Sequence, residues 1–464
     1  MTESRVDPAD GAGGAGTAGA SGAGEGPAAG APGPVTPGRP AHRDGNVLRW
    51  LGAYAASLVG DSIYFLALGW AAAQAGRPAE VGLILAAGAV PRALLMLGGG
   101  VIADRFGPRR IVIGSDAVRC AVIIGIAAAL MLTGPAVWLL VVVALVFGAV
   151  DAMFLPAVGA LPPRITDPDQ LVRVQGMKAL TNRFGGIVGA PVAGLAMGLG
   201  GPAAAFAAAG GLFAVSLVLL VAVRIAPLPE EEAAKGEAEG KGSGGTGAAV
   251  EPGQPRSVWR DLTDGFGYVR RHRLVGPLIL SNILFELGGV PLINVGVVLL
   301  SSERGWGATG ITWIVGAFSA GAAGSALLLT VLGRVPHAGR VRLLALTGGS
   351  VLACALGTVP ELVWAVLVAV PMGALVAMSG GLTAGLVQTA TAPAYLGRVS
   401  SLTSLVSLGI APLAYPLVGL AVGAWGVAPV FLGCGALCML AALVGVTYRE
   451  VRGAELPTAT DTGT

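Results

Sequence analysis

"RVQGMKALTNRFGGIVGAPVAGLAMG", Arg173 to Gly198, has the length and apolar character of a membrane span, yet Lys178 and Arg183 lie inside it. "RVSSLTSLVSLGIAPLAYPLVGLAVG", Arg398 to Gly423, repeats the frame without the charges. A shift of 225 residues aligns 152–198 with 377–423 without a gap, and 14 of the 47 pairs are identical. Among them are Met153/Met378, Pro168/Pro393, Arg173/Arg398, Val174/Val399, Pro191/Pro416 and Gly194/Gly419. Single matches mean little between Gly/Ala-rich segments. The ordered run of Pro, Arg-Val and Pro-x-x-Gly in one frame indicates a chain duplicated in parallel.

Working outward, apolar blocks of this kind recur along the chain. Of its 464 residues 54% are hydrophobic and only 12% charged, and the mean hydropathy is +0.76. Soluble chains are about 25% charged, and about 20 apolar residues of helix cross the hydrocarbon of a bilayer. Twelve such segments are expected, near 47–75, 80–103, 110–133, 136–161, 173–199, 202–224, 274–300, 308–333, 341–359, 362–390, 398–424 and 427–448. The expected fold is an all-α integral membrane protein, two six-helix bundles over 45–224 and 274–449. The Gly/Ala/Pro-rich residues 1–44 and the tail 450–464 read as disordered, and the Gly/Ser/Glu-rich 225–273 as a linker loop. No basic segment followed by an apolar core marks a secretory signal at the N-terminus.

Basic residues orient the spans. With the N-terminus cytoplasmic, only Arg77 and Arg304 lie outside, Arg92, Arg119, Lys178 and Arg183 lie within spans, and the other basic residues gather inside. That asymmetry places both termini and the linker in the cytoplasm. Cys120, Cys354, Cys434 and Cys438 sit in apolar runs, where they read as small contact residues. His42, His272 and His337 lie outside such runs, so neither a metal nor a His-based catalytic site is expected, and no cofactor.

Between the second and third spans runs "GGGVIADRFGPRR", with Gly100, Asp104, Arg105, Gly107, Arg109 and Arg110. It resembles the G-x-x-x-D-R-x-G-x-[RK]-[RK] loop motif of the major facilitator superfamily, and the 6+6 repeat suits that family. The resemblance implies a cytoplasmic latch that stabilises the outward-open state, with two halves rocking about a midplane site. The equivalent loop, "GRVPHAGRVR", keeps the basic residues but has no carboxylate, so a latch there would be asymmetric. "GGIVGAPVAG" is similar to the Gly/Pro bend motif of proton-coupled exporters, G-x-x-x-G-P-x-x-G, at Gly185, Gly189, Pro191 and Gly194, although Ala190 displaces the usual Gly-Pro junction; Pro416 and Gly419 are the twins in span 11. Small residues let helices approach, and proline bends them. Three further stretches, "SLVGDSIYFLALGW", "FLPAVGALPPRITDPDQLVRVQG" and the Arg398 segment, resemble the macrolide-efflux and siderophore-export branch.

Charges at membrane depth mark the transport path, because an ionisable group there is costly and seeks the bundle interior and a partner. Counting about 1.5 Å per residue from the span ends places Asp61, Arg92, Arg183 and Glu286 near the midplane. Asp151 lies slightly inward, and Asp116, Arg119 and Lys178 nearer the cytoplasm. Asp151 and Arg183 are expected to pair, and Asp116 with Arg119 to form a surface-type i, i+3 pair supporting the gate loop. Glu286 is the only carboxylate in the C-half spans, with no basic residue in them. It is the first candidate for proton coupling, and Asp61 the second; pairing across the cleft with Arg92 or Arg183 would silence Glu286. Asn282, Asn294 and Gln388 are candidates for substrate contact or for interhelical hydrogen bonds. Tyr64, Phe65, Trp70, Phe285 and Trp313 are candidates for an apolar pocket.

The expected function is proton antiport of an amphipathic or drug-like small molecule out of a bacterial cell by alternating access. The alternatives are an ion-coupled importer of a metabolite and a non-transporting sensor on the same scaffold. Expected partners are the small molecule, protons and the bilayer, with no nucleic acid and a monomeric chain. No H-E-x-x-H, G-x-S-x-G or G-x-x-x-x-G-K-[ST] occurs, so neither an enzyme nor a nucleotide-driven pump is expected. The excess of Arg over Lys, with abundant Ala and Gly, suits a high-G+C bacterium.

Overall fold

The computed structural model describes residues 43–166, 170–224, 258–332, 335–392, 395–407 and 411–455. Asp44 caps α1 (Gly45–Ala75), its side chain accepting from the Asn46 amide at 2.8 Å. Such a cap satisfies one of the free N–H groups that every helix start exposes. The α2 helix (Pro78–Phe106) begins on a proline, and Glu80 reaches back to the Arg77 amide at 2.8 Å. At the turn into α3 (Pro108–Thr133), Gly107 has φ +82°, a region that a side chain strains. The α4 helix (Val137–Gly159) and the short α5 (Pro162–Ile165) lead to α6 (Leu171–Val221).

Helical backbone fails inside α6 at Gly200 and Gly201, the latter with φ +66°. The break falls between the two spans expected there. Asn46 ties the start of α1 to the end of α6, donating to the Arg224 carbonyl at 2.6 Å and accepting from its amide at 2.8 Å.

The second half opens with α7 (Val258–Arg271), a strongly amphipathic helix where a loop was expected. Its apolar positions recur at helical spacing, a signal that the polar composition of the segment hides. Next come α8 (Val275–Pro291), one π turn (Leu292–Gly296) and α9 (Val297–Glu303) in a continuous helical run. Pro291 precedes the π turn, and such turns occur where the regular ladder is interrupted. Then follow α10 (Gly307–Leu332), α11 (Ala338–Thr358), α12 (Leu362–Ala390) and α13 (Leu396–Leu405). A 3₁₀ turn (Ala411–Ala414) leads into α14 (Tyr415–Trp425), followed by α15 (Val427–Thr447) and α16 (Arg449–Arg452). His337, in the loop equivalent to that of Gly107, also takes a left-handed conformation, φ +53°.

Residues 450–455 of the tail expected to be disordered are ordered, because Val451 and Ala454 are buried against Leu278, Leu343 and Leu382; the rest of that expectation lies outside the described residues. The Gly339 amide donates to the Ala454 carbonyl at 2.9 Å, closing this segment over the start of α11.

Ten helices among the described residues are long and apolar enough to cross a membrane. Polarity is inverted relative to a protein in water: Leu132, Leu199 and Val331 are at least 80% exposed, while Asp116, Arg119 and Arg342 are at most 1% exposed. Such a surface suits a hydrocarbon solvent, and charges inside it demand partners.

Within the first half, α1 packs along α6, and α2 along α4; within the second, α10 packs on α12, and α11 on α15. The halves meet where α14 lies on α2 and α10 lies on α6. Glycine lets the halves come close: Gly82 faces the Tyr415 carbonyl and Gly419 that of Pro78 where α14 crosses α2, Gly194 faces the Thr312 side chain where α10 crosses α6, and Gly69 of α1 faces the Val298 side chain of α9. All four contacts lie toward the end of the molecule that carries Arg77.

Candidate functional site

Five helices of the first half converge on Arg119. On α1, Ser57 and Asp61 are one turn apart; α3 supplies Asp116 and Arg119 at i, i+3; α2, α4 and α6 add Arg92, Asp151 and Ser216. The Arg119 guanidinium donates from Nη2 to Asp151 Oδ1 and from Nη1 to Ser57 Oγ at 3.1 Å. Its Nη1 also lies 3.5 Å from Asp116 Oδ1 and 3.8 Å from Asp61 Oδ1. Arg92 Nε pairs with the other Asp151 oxygen at 3.0 Å, and Ser216 donates its hydroxyl to Asp116. Phe154 stacks beneath the Arg119 guanidinium, whose carbon is 4.0 Å from the ring centroid. Three carboxylates thus share two guanidiniums, and the buried Oδ1 of Asp61 has no hydrogen-bond partner.

Both Asp151 oxygens have partners, Arg119 and Arg92; the expected pairing with Arg183 lies outside the described residues, as that side chain does. One expectation is corrected. Asp116 and Arg119 are no surface pair, because both are completely buried. Their helix, α3, packs between α4 and α6, which enclose both side chains.

Beside the network lies a cavity of about 390 Å³ between the halves. Its first-half wall includes Ser62, Tyr64, Phe65, Arg92, Phe147 and Asp151. The second half contributes Ile293, Asn294, Val298, Ser319, Ser407 and Tyr415. Asn294 sits in the π turn and spends its amide on the Val290 carbonyl at 3.0 Å, leaving its oxygen to the cavity. Val290, Ile293 and Asn294 also border an apolar recess of about 170 Å³ lined by Phe285, Phe318, Met372 and Cys438. The volume suits a drug-sized or metabolite-sized molecule. Apolar and aromatic side chains make up most of the wall.

Glu286 stands just behind this wall. It accepts a hydrogen bond at 2.8 Å from Ser407, whose side chain lines the cavity. Tyr415 of the second half lines the same cavity as Arg92 of the first. Arg342 corrects the view that the C-half spans hold no cation. Counted from sequence with the cytoplasmic basic residues, at the edge of the span near 341–359, it is 1% exposed within α11 and donates to Thr383 Oγ1 at 2.6 Å and Ser281 Oγ at 2.8 Å.

Of the other candidates, Arg92, Asp151 and Asn294 reach the cavity. Lys178 does not border it; its ammonium lies 5.6 Å from the centroid of the Tyr54 ring on α1. Gln388 is exposed two residues from the end of α12, well away from mid-depth, and Asn282 is half-buried on α8 outside the described wall. Gly185 and Gly189 bring α6 against Leu58 and Ser62 of α1. Pro191 lies inside the same helix, and Pro416 opens α14. In the loop motif, Gly107 makes the turn and Arg109 donates to the Val221 carbonyl at 3.0 Å, while Arg110 is exposed. Gly100, Asp104 and Arg105 belong to α2, and their side chains lie outside the described residues. Among the described residues no group of three or more His, Cys, Asp or Glu could hold a metal.

The profile of the Major Facilitator Superfamily matches residues 50–411. Among solved structures, the nucleoside transporter NupG superposes with a TM-score of 0.65 at 13% identity, covering 87% of this chain and 99% of its own. A D-xylose-proton symporter superposes with a TM-score of 0.62 at 14% identity, covering 89% and 98%. No curated protein sequence matches the chain.

Proposed function

The chain belongs to the Major Facilitator Superfamily, and on that premise we propose that it moves an amphipathic small molecule out of the cell in exchange for protons, by alternating access. Twelve spans make up the proposed pathway, counting α6 as two across the Gly200–Gly201 break and joining α13 to α14 as one. The Arg77 end faces outward, both termini face the cytoplasm, and the four glycine contacts close the outer side of the cavity in this conformation.

The observation that carries the reading is the wall itself: an apolar and aromatic cavity with an apolar recess, edged by a few polar groups and flanked by carboxylates. Such a lining suits a molecule with a large apolar body. A proton is the smallest cation that balances the carboxylate left over when Asp61, Asp116 and Asp151 share Arg92 and Arg119. Glu286, held by a cavity-lining hydroxyl, is a second proton-carrying candidate, linked to the substrate space through Ser407. The macrolide-efflux and siderophore-export branch is the corresponding reading of the sequence.

Import by symport uses the same cavity and acids, and the fold is shared with a D-xylose-proton symporter. Inverted vesicles containing the protein, acidified inside, separate the two. Export by antiport predicts accumulation of a bis-benzimide dye that a protonophore abolishes; dye loss driven by the same gradient would establish symport instead.

A further inference from the structure

A second cavity, of about 650 Å³, lies at the Gly107 end beneath α7. Arg270, Arg271 and Arg273 line its mouth with His272, and Glu450 is the one acidic residue in its described lining. All three guanidiniums belong to exposed residues, and Phe266 beside them is 59% exposed. The floor is apolar, made by Ile279, Leu280 and Ile283 of α8 and by Leu402 and Val406 at the end of α13. His272 is already occupied, its Nδ1 accepting from the Leu274 and Val275 amides at the start of α8.

A cationic rim over an apolar floor, on the flank of two membrane-depth helices, matches one chemistry: a phosphodiester joined to an acyl chain. We propose that this cavity binds an anionic phospholipid, its phosphate among Arg270, Arg271 and Arg273 and one chain along α8 and α13. The assignment rests on the orientation proposed above, which places this end in the cytoplasmic leaflet, where basic pockets between helices meet anionic headgroups.

The position also connects the lipid to transport. The α7 helix is seated on the start of α13: Tyr268 stacks on Tyr395 with centroids 4.4 Å apart, and its hydroxyl accepts from the Ala392 amide at 3.1 Å. Gly265 lies close against Arg398. From there α13 runs toward Ser407, which holds Glu286. A lipid wedged between α7 and α8 therefore braces the segment that leads to the central cavity.

The test is native mass spectrometry of the full chain in detergent, titrated with dioleoyl phosphatidylglycerol or dioleoyl phosphatidylcholine. The wild type should retain one phosphatidylglycerol in preference to phosphatidylcholine. Each of R270Q, R271Q and R273Q should weaken it about fivefold, the equivalent of the ~1 kcal/mol that a basic residue is worth beside an anionic surface, and the triple variant about a hundredfold. E450Q should tighten binding severalfold, a gain that misfolding cannot imitate. Equal retention of both lipids, an unchanged triple variant, or displacement of the lipid by millimolar inorganic phosphate would overturn the proposal. Binding is read without transport, so this result and the transport reading fail separately.

Discussion

Replacing Arg119 by methionine keeps the bulk of the side chain and removes its charge. The structure specifies what is lost. Asp116, itself completely buried, is left with serine hydroxyls, Ser216 foremost, and no cation. Asp61 loses its ion pair, and Ser57 its donor, whereas Asp151 retains Arg92. Breaking a buried ion pair from one side costs about 3–5 kcal/mol, because it strands a charge without compensation. That is a large part of the roughly 5–15 kcal/mol by which proteins are stable at all. Unfolding by increasing sodium dodecyl sulfate in mixed micelles should report a loss of that size for R119M. Adding D116N removes one stranded charge and should restore about 1–3 kcal/mol, the desolvation cost of one unsatisfied buried group. If R119M matches the wild type, or D116N restores nothing in its background, the carboxylates are not organised around this guanidinium.

Two substitutions at glycine test the backbone reasoning. G107A places a side chain at φ +82° and should cost about 1–3 kcal/mol in the same unfolding assay, without changing the order of transported substrates. G82A drives a methyl group into the Tyr415 carbonyl. It should loosen the outer closure, seen as faster modification of a cysteine introduced at Ala421 by a membrane-impermeant reagent; an unchanged rate would show that this contact does not seal the cavity.

Apolar run lengths made the long membrane-length helices legible, and the gap between two expected spans falls on the break at Gly200–Gly201, because hydrocarbon thickness leaves so few lengths open. The loop motif identified Gly107 as the turn residue for a physical reason, the backbone region that glycine alone enters freely. What stayed hidden was partnership. Hydropathy assigns an arginine near a span end to water, but the ordered segment around Val451 covers the start of α11, and Arg342 is buried. Asp151 is matched to Arg183 because their spans are adjacent in sequence, and nothing in the sequence says that packing of α2 on α4 brings Arg92 to it and that α3 brings Arg119. The π turn that presents Asn294 leaves no mark in composition. The amphipathic α7 was masked by the low-complexity residues before it. Lys178, which made the Arg173–Gly198 stretch anomalous, packs against the Tyr54 ring rather than into the cavity.

Proton coupling through the carboxylates flanking the central cavity is the claim on which the account depends. Its most direct test is proton movement in proteoliposomes loaded with a pH-sensitive dye, following a pulse of transported substrate, for the wild type, E286Q and D61N. The account predicts a substrate-dependent pH change in the wild type. In at least one variant that change should vanish while downhill substrate exchange continues. A pH change that survives in both variants at wild-type amplitude would contradict it.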